Sequence, residues 1–525
     1  MKTMAFALSV SLSMLIWLAA CGEQAPTLSP DLVNITLVPF TSLERGISGV
    51  APKTWVEVFP GEFMRGMPDD RLGTLQQQFI PDLTSRQTIE KFVDQQGLQQ
   101  FPESIGSLKT AHFTWDLYRV EIEQPNIGMT TLDIALAETE AGVYAVALLA
   151  MPNDYDVLHK KVFIPAVEAL TPAVATKDTS AERATITIPE RTYWPTDGWR
   201  TSSPEEQGMD PERLADMWAY IKEKNVRIDS VTIARHGYLV WDTYTRSNTK
   251  NANHDIYSCT KSLTSALVGI AIDQGHIEGV NQPVLSFFPE RTIANMDARK
   301  EALTLEHLLA MRDGLEWTEK SLNLIPTHDT WQETKQTGDW VQFILDRPMA
   351  AEPGTRWNYN TGASHLLSAI LQETTGMTTS AFASEHLFGP LGIAGTTWGA
   401  DPQGRNNGGT SLRMTPHDMA KFGYLYLNEG RWDGQQIVPA AWVKASTTSH
   451  YPTFETYYGD LEYGYQWWII PWAGYYSAIG ALGQYIIVLP ELDMVVVFTS
   501  NLTNDEDFFI PLLLLEFYVI PSVES

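Results

Sequence analysis

Cysteine, positive charge and long apolar runs are all in short supply in this chain. Its 525 residues include two cysteines, Cys21 and Cys259, too few for a disulfide framework or a thiolate metal site. Lysine and arginine total 36 against 63 aspartates and glutamates, a formal charge of −27. That balance argues against a nucleic-acid partner, because such binders need a basic face to displace counterions. We read the acidity as a solubility device. After the N-terminal run no segment is apolar enough over enough residues to span a bilayer. There is no Gly-x-Ser-x-Gly elbow, no His-Glu-x-x-His helix and no phosphate-binding glycine loop, and the 11 histidines are scattered. Neither a metal nor a cofactor is expected.

What is present describes an ordinary globular protein, with 44% hydrophobic and 19% charged residues. The length exceeds a single typical core and predicts two or three domains. Lys2 followed by the apolar run Met4 to Trp17 has the form of a removable export signal, too short for a comfortable membrane span. Leu18-Ala19-Ala20-Cys21-Gly22 then resembles a bacterial lipobox, which implies lipid on Cys21 and a membrane attachment through that lipid only. Gly22 in place of an aspartate points to the outer membrane, facing the periplasm. With Cys21 lipidated, Cys259 has no disulfide partner.

The chain divides on paper into a signal and lipobox (1–21), a tether rich in Pro, Ser and Thr (22–35), a small α+β domain (36–170), a linker (171–198) and a larger domain (199–525). In the first domain Asn34–Val38 and Val143–Ala150 read as strands, and Tyr155–Leu170 as helical. In the second, Ser230–Ala234 and Tyr238–Thr243 alternate around Arg235-His236-Gly237 and predict a hairpin. Tyr485–Leu489 and Met494–Thr499 predict another, around Pro490-Glu491-Leu492-Asp493. Strands at both ends enclosing a helical middle suit one antiparallel sheet packed on a helical subdomain.

The chemistry centres on Ser258-Cys259-Thr260-Lys261. A serine hydroxyl is a weak nucleophile and needs a base within hydrogen-bond reach. Positions i and i+3 share a helix face, so Lys261 can reach Ser258. The residues that follow, from Leu263 to Ile272, are mostly apolar and predict a buried helix whose first turn opens into a cleft. Burial would lower the lysine pKa toward a useful base, and free N–H groups at the helix start suit an oxyanion. Ser247-Asn248-Thr249-Lys250 has the same spacing but no apolar helix behind it, and is set aside.

Further blocks carry a family resemblance. Leu305-Glu306-His307-Leu308-Leu309-Ala310-Met311-Arg312-Asp313-Gly314-Leu315, Pro353-Gly354-Thr355-Arg356-Trp357-Asn358-Tyr359-Asn360-Thr361-Gly362, Leu412-Arg413-Met414-Thr415-Pro416 and Tyr463-Gly464-Tyr465-Gln466-Trp467-Trp468 follow Ser258 in order. Together they resemble the serine β-lactamase-related and penicillin-binding family, over about residues 199–499. The resemblance implies a β-lactamase/transpeptidase-like α+β fold and acyl-enzyme chemistry. Tyr359-Asn360-Thr361 matches the family's Tyr-x-Asn, with threonine in the third place, and resembles the branch of 6-aminohexanoate-oligomer hydrolases and related esterases. It implies that Tyr359 shuttles a proton. Tyr426-Leu427-Asn428 fits the letters but sits in an amphipathic helical stretch. The third motif, usually Lys-Thr-Gly or His-x-Gly, is matched by Ala478-Ile479-Gly480. Backbone N–H groups of Ser258 and Ala481 are then the expected oxyanion donors, with Thr361, Ile479 and Gly480 facing substrate.

The missing cation at Ala478 removes the usual holder of a substrate carboxylate. A small neutral ester or amide is therefore the preferred substrate class. A D,D-peptidase or β-lactamase is the alternative within the same chemistry, and a non-catalytic receptor on the same fold is the alternative outside it. Oligomeric state is not legible. Intact mass of the protein from a bacterial membrane fraction is expected to show lipid on Cys21, and Cys21→Ser to release the protein from the membrane. Soluble protein beginning at an unmodified Met1 would refute the lipobox reading.

Overall fold

The computed structural model describes residues 32–43, 45–67, 73–96, 101–124, 128–173, 191–245, 251–319, 328–456, 459–503 and 506–523. The expected signal, Cys21, most of the tether, residues 174–190 of the linker and the set-aside serine at Ser247 lie outside them. The described chain forms two compact units, one built on residues up to 173 and the other from 191 onward, with Glu455, Thr456, Gly459 and Leu513–Phe517 falling in the first. No helix among the described residues is long and apolar enough to cross a membrane.

The N-terminal unit is a small sheet domain. Its seven strands run, in spatial order, Val56–Phe59, Glu62–Met64, Gly73–Pro81, Gly142–Ala150, Gly128–Thr139, Thr114–Gln124 and Ser104–Lys109, antiparallel throughout. Gly142–Ala150 is buried along its whole length, which explains why its continuous apolar run reads so clearly as a central strand. Its partner Gly73–Pro81 contains Gln76-Gln77-Gln78, a polar run without strand signal. Gln77 is nonetheless buried, its amide donating to Val50 O at 2.9 Å. The strand expected at Asn34–Val38 instead spans Leu37–Ser42 and pairs with Ile47–Pro52. Helical turns run from Pro152 to Ala169 through one wider π turn at His159–Phe163. Leu158, Val162, Phe163 and Ala166 bury against Val146 and Leu148. That apolar stripe is the unit's core.

The larger unit holds an eight-stranded sheet. Seven of its strands are ordered Tyr238–Tyr244, Ile228–Arg235, Met494–Ser500, Gln484–Leu489, Tyr475–Gly480, Trp468–Ile470 and Gly459–Tyr463, each pair antiparallel. The first hairpin turns at His236 and Gly237, both at positive φ (51° and 88°); such a two-residue turn matches the right-handed twist of its strands. Chain ends thus supply the sheet, and the residues between them supply the helices. The helix Cys259–Asp273 is buried from Cys259 to Ala271, as an all-round apolar helix must be. It packs against the strand Tyr475–Gly480 and the helix Thr361–Thr375.

Gly269 lets this helix sit against the helix Ala440–Ser446. A Cβ at Gly269 would lie 2.4 to 2.6 Å from ring atoms of Trp442, inside any real contact. Alanine normally stabilises a helix interior relative to glycine. Here Gly269→Ala is expected to destabilise by about 1–3 kcal/mol through overpacking, seen as a lowered melting temperature, and Trp442→Leu in the same chain to recover part of it. An unchanged or raised melt for Gly269→Ala would contradict this packing.

Candidate active site

Tyr257 enters the site with φ 45°, a costly conformation for a non-glycine residue, and its N–H donates to Asp255 Oδ1 at 2.9 Å. This kink delivers Ser258 to the start of the buried helix. The first turn closes through Cys259 N to Ile256 O, Thr260 N to Tyr257 O and Lys261 N to Ser258 O. None of these uses the Ser258 N–H. Three residues on, Lys261 is 1% exposed, and as the ammonium its Nζ donates to Ser258 Oγ, Thr361 Oγ1 and Gly409 O, each at 3.0 Å.

Burial pulls the Lys261 pKa down to about 8, and the nearby Glu319 partly pulls it back up. Glu319 is itself buried. It accepts from Thr361 Oγ1 (2.7 Å) on one oxygen, and from Thr361 N (2.8 Å) and Trp317 Nε1 (2.6 Å) on the other. Burial raises its pKa, opposed chiefly by Lys261 and then by the Thr361 bonds. Beside it, burial pushes Asp313 up to about 6; Asp313 Oδ1 accepts from Leu315 N and from Asn360 Nδ2. Asn360 in turn caps the helix Thr361–Thr375 through Ala363 N.

Tyr359 is brought to the same place. Its ring centroid lies 4.8 Å from Lys261 Nζ and stacks on Trp468 at 6.0 Å and 24°. Its phenol pKa is raised, first by burial and then by Glu319, and lowered by a hydrogen bond with Ser258. Lysine thus meets the face of this tyrosine, and serine meets its hydroxyl.

The strand Tyr475–Gly480 forms the remaining wall. A Cβ on Gly480 would lie 2.3 Å from Ile256 O and 3.2 Å from Ser258 N, so only glycine allows the strand this close to the nucleophile. Ala481 follows the last paired residue of the strand, leaving its N–H beside the turn Leu482–Gly483, both at positive φ. Ala478 is 1% exposed and belongs to the main core. Ile479 and Gly480 line the cavity. Thr361 also lines it, with its hydroxyl held between Lys261 and Glu319.

Ser258 opens into a cavity of about 530 Å³ whose walls include Tyr257, Trp331, Trp340, Trp468 and Phe508. Asp255, Asp329 and Lys335 also line it. Elsewhere, the Cys259 thiol is buried, bonded to Gln484 O and raised in pKa by burial, so it is an inert neighbour. Tyr426 lies in the helix Pro416–Leu427, buried against Trp467. His365 is buried against Asp401. No group of three or more His, Cys, Asp or Glu among the described residues could hold a metal.

Sequence reasoning missed Glu319, Gly409 and Asp313. An acid between tryptophan and lysine has no periodic signal, and the pair Gly408-Gly409 reads only as loop punctuation. In the structure each glycine is required. A Cβ on Gly408 would fall 2.1 Å from Ser364 O, and one on Gly409 2.7 Å from Thr361 Cγ2 and 3.3 Å from Lys261 Nζ.

A sheet enclosing a helical subdomain, with serine and lysine one turn apart at the head of its buried helix, defines a hydrolase of the transpeptidase-like class. The β-lactamase family model matches residues 206–516, more than half of the chain; the chain belongs to the β-lactamase family of serine hydrolases. It is 26% identical over 306 residues to a 6-aminohexanoate-dimer hydrolase of Paenarthrobacter ureafaciens, covering 55% of this chain and 76% of that one. Among solved structures, a Bacillus anthracis protein provisionally named as a 6-aminohexanoate-dimer hydrolase superposes with a TM-score of 0.52 at 20% identity, over 64% of this chain and 90% of its own. A hydrolase with promiscuous acyltransferase activity gives 0.51 at 16%, over 58% and 98%. At such identities these two likenesses speak for the fold.

Gly480→Ala is expected to push the strand away from Ser258 and cut kcat/KM for p-nitrophenyl esters roughly 100-fold, the scale of a misplaced reacting group. The overlap with Ile256 O should also lower the melting temperature, so the rates are compared at a temperature where the variant is folded. Wild-type kinetics in this variant would show that the close approach has no bearing on the reaction.

Proposed function

We propose that this protein hydrolyses small neutral esters or amides through an acyl-enzyme on Ser258. The observation that carries the reading is the buried Lys261 amine 3.0 Å from Ser258 Oγ, with burial drawing its pKa to about 8. Neutral Lys261 takes the Ser258 proton as Oγ bonds to the substrate carbonyl. The oxyanion is held by the N–H groups of Ser258 and Ala481. Tyr359 passes the proton to the departing alcohol or amine as the acyl–heteroatom bond breaks. Water then adds to the acyl group by the same route in reverse and frees the acid. No step needs a cofactor.

The substrate class rests on the cavity. Its walls mix aromatic rings with hydroxyl and amide side chains, the third-motif strand contributes Ile479 rather than a cation, and among the described residues three carboxylates, Asp255, Glu319 and Asp329, line it with the one ammonium of Lys335. An anionic β-lactam gains little there. The relatives support cleavage of an amide, since they include a 6-aminohexanoate-dimer hydrolase. From the sequence alone we further propose that the enzyme is exported and tethered by lipid at Cys21.

Ser258→Ala is expected to abolish ester hydrolysis and fluorophosphonate labelling with the melt preserved. Lys261→Ala and Tyr359→Phe should each cost about 3–5 kcal/mol of transition-state stabilisation, and the double variant little more than the worse single one. Full turnover by Ser258→Ala would refute the mechanism, and additive losses would remove Tyr359 from the relay. Faster hydrolysis of penicillins than of neutral esters would refute the substrate class.

A further inference from the structure

We infer that Glu319, acting through Thr361, is a positioning residue that aims the free electron pair of Lys261 at Ser258. The inference rests on the Ser258–Lys261 mechanism above and deepens it.

The argument is a count of donors and acceptors. A neutral lysine amine has two N–H bonds and one lone pair. Three oxygens surround Nζ at 3.0 Å: Ser258 Oγ, Thr361 Oγ1 and Gly409 O. A peptide carbonyl can only accept, so Gly409 takes one N–H. A threonine hydroxyl can accept or donate. Left free, Thr361 could turn its hydrogen onto the amine lone pair and compete with the serine. Glu319 Oε1, 2.7 Å away, removes that freedom, because a carboxylate only accepts and claims the Thr361 hydrogen. Thr361 then offers the lysine lone pairs alone and takes the second N–H. The amine lone pair is left for the Ser258 hydroxyl, the orientation a general base requires.

The carboxylate is itself fixed. Its second oxygen accepts from Thr361 N and Trp317 Nε1, and Glu319 is 6% exposed. An asparagine in the place of Thr361 could present an amide oxygen that never donates. A threonine there needs a neighbour to take its hydrogen, and Glu319 is that neighbour.

Electrostatics gives a second readout. The groups acting on Lys261 are Glu319 and the Cys259 thiol, with the Tyr359 ring over Nζ; Asp313 and Tyr463 interact with Glu319 from behind. Glu319 stabilises the lysine cation. Its removal takes away the larger of the two effects that oppose burial and lowers the lysine pKa further. Because the base acts when deprotonated, the acid limb of the rate profile then moves to lower pH.

The test is the second-order rate of fluorophosphonate inactivation between pH 5 and 10, with melting temperatures, for wild type, Glu319→Gln, Thr361→Val and Thr361→Ser. Glu319→Gln should lower the plateau about tenfold or more and move the acid limb down by about one pH unit. Thr361→Val should lose a similar factor while its limb does not move down, and Thr361→Ser, which keeps the hydroxyl, should stay within about threefold of wild type. Wild-type plateaus and limbs in both Glu319→Gln and Thr361→Val would overturn the inference. So would equal losses in Thr361→Ser and Thr361→Val, a comparison that stands even if Glu319→Gln does not fold. Labelling of a residue other than Ser258 in the wild type would instead sink the mechanism beneath it.

Discussion

The catalytic unit turns on one constraint, a lysine amine held away from water. A buried ammonium without partners costs several kcal/mol, and a protein can meet that cost by neutralising it or by surrounding it with acceptors. Here burial brings the Lys261 pKa down to about 8, Ser258, Thr361 and Gly409 supply the acceptors, and Glu319 acts on the amine by charge and through Thr361. Much of the neighbouring architecture follows. Gly408 and Gly409 must lack side chains for the carbonyl to arrive. Asn360 must cap its helix and hold Asp313 for Thr361 to stand in place. Gln466, with φ 66°, ties the cluster together from behind, donating to Leu308 O and Leu309 O and accepting from Ser364 Oγ, while its carbonyl takes the Ser262 hydroxyl.

What was legible in the sequence is what local spacing encodes. Ser258 and Lys261 lie one turn apart, and the apolar run behind them predicts the buried helix that the structure shows. The hairpins around His236-Gly237 and Pro490–Asp493 carry their own turn signals, and Gly142–Ala150 is apolar from end to end. Partners joined across long stretches of chain were not legible. Lys261 meets Thr361 100 residues away and Gly409 148 away, and Thr361 meets Glu319 across 42. No periodicity links such residues. The N-terminal sheet was mostly hidden for a different reason. Ser104–Lys109 is exposed along nearly all its length and Gly73–Pro81 buries two glutamines, Gln77 and Gln78, so neither shows the alternation that marks a half-buried strand.

The third motif shows how strand register converts a sequence departure into chemistry. Successive residues on a strand face opposite sides, and Ala478 falls in the core while Ile479 meets the cavity. The third-motif side chain that meets the cavity is therefore the apolar Ile479. A lysine placed at Ala478 would enter a packed core without a partner.

The most direct test of the account is the titration of Lys261 itself, by NMR of isotope-labelled lysine in the intact protein, with Lys261→Arg identifying the resonance. The account predicts a midpoint near 8, more than two units below the ordinary lysine value of about 10.4. A Lys261 resonance that titrates with the surface lysines would contradict it.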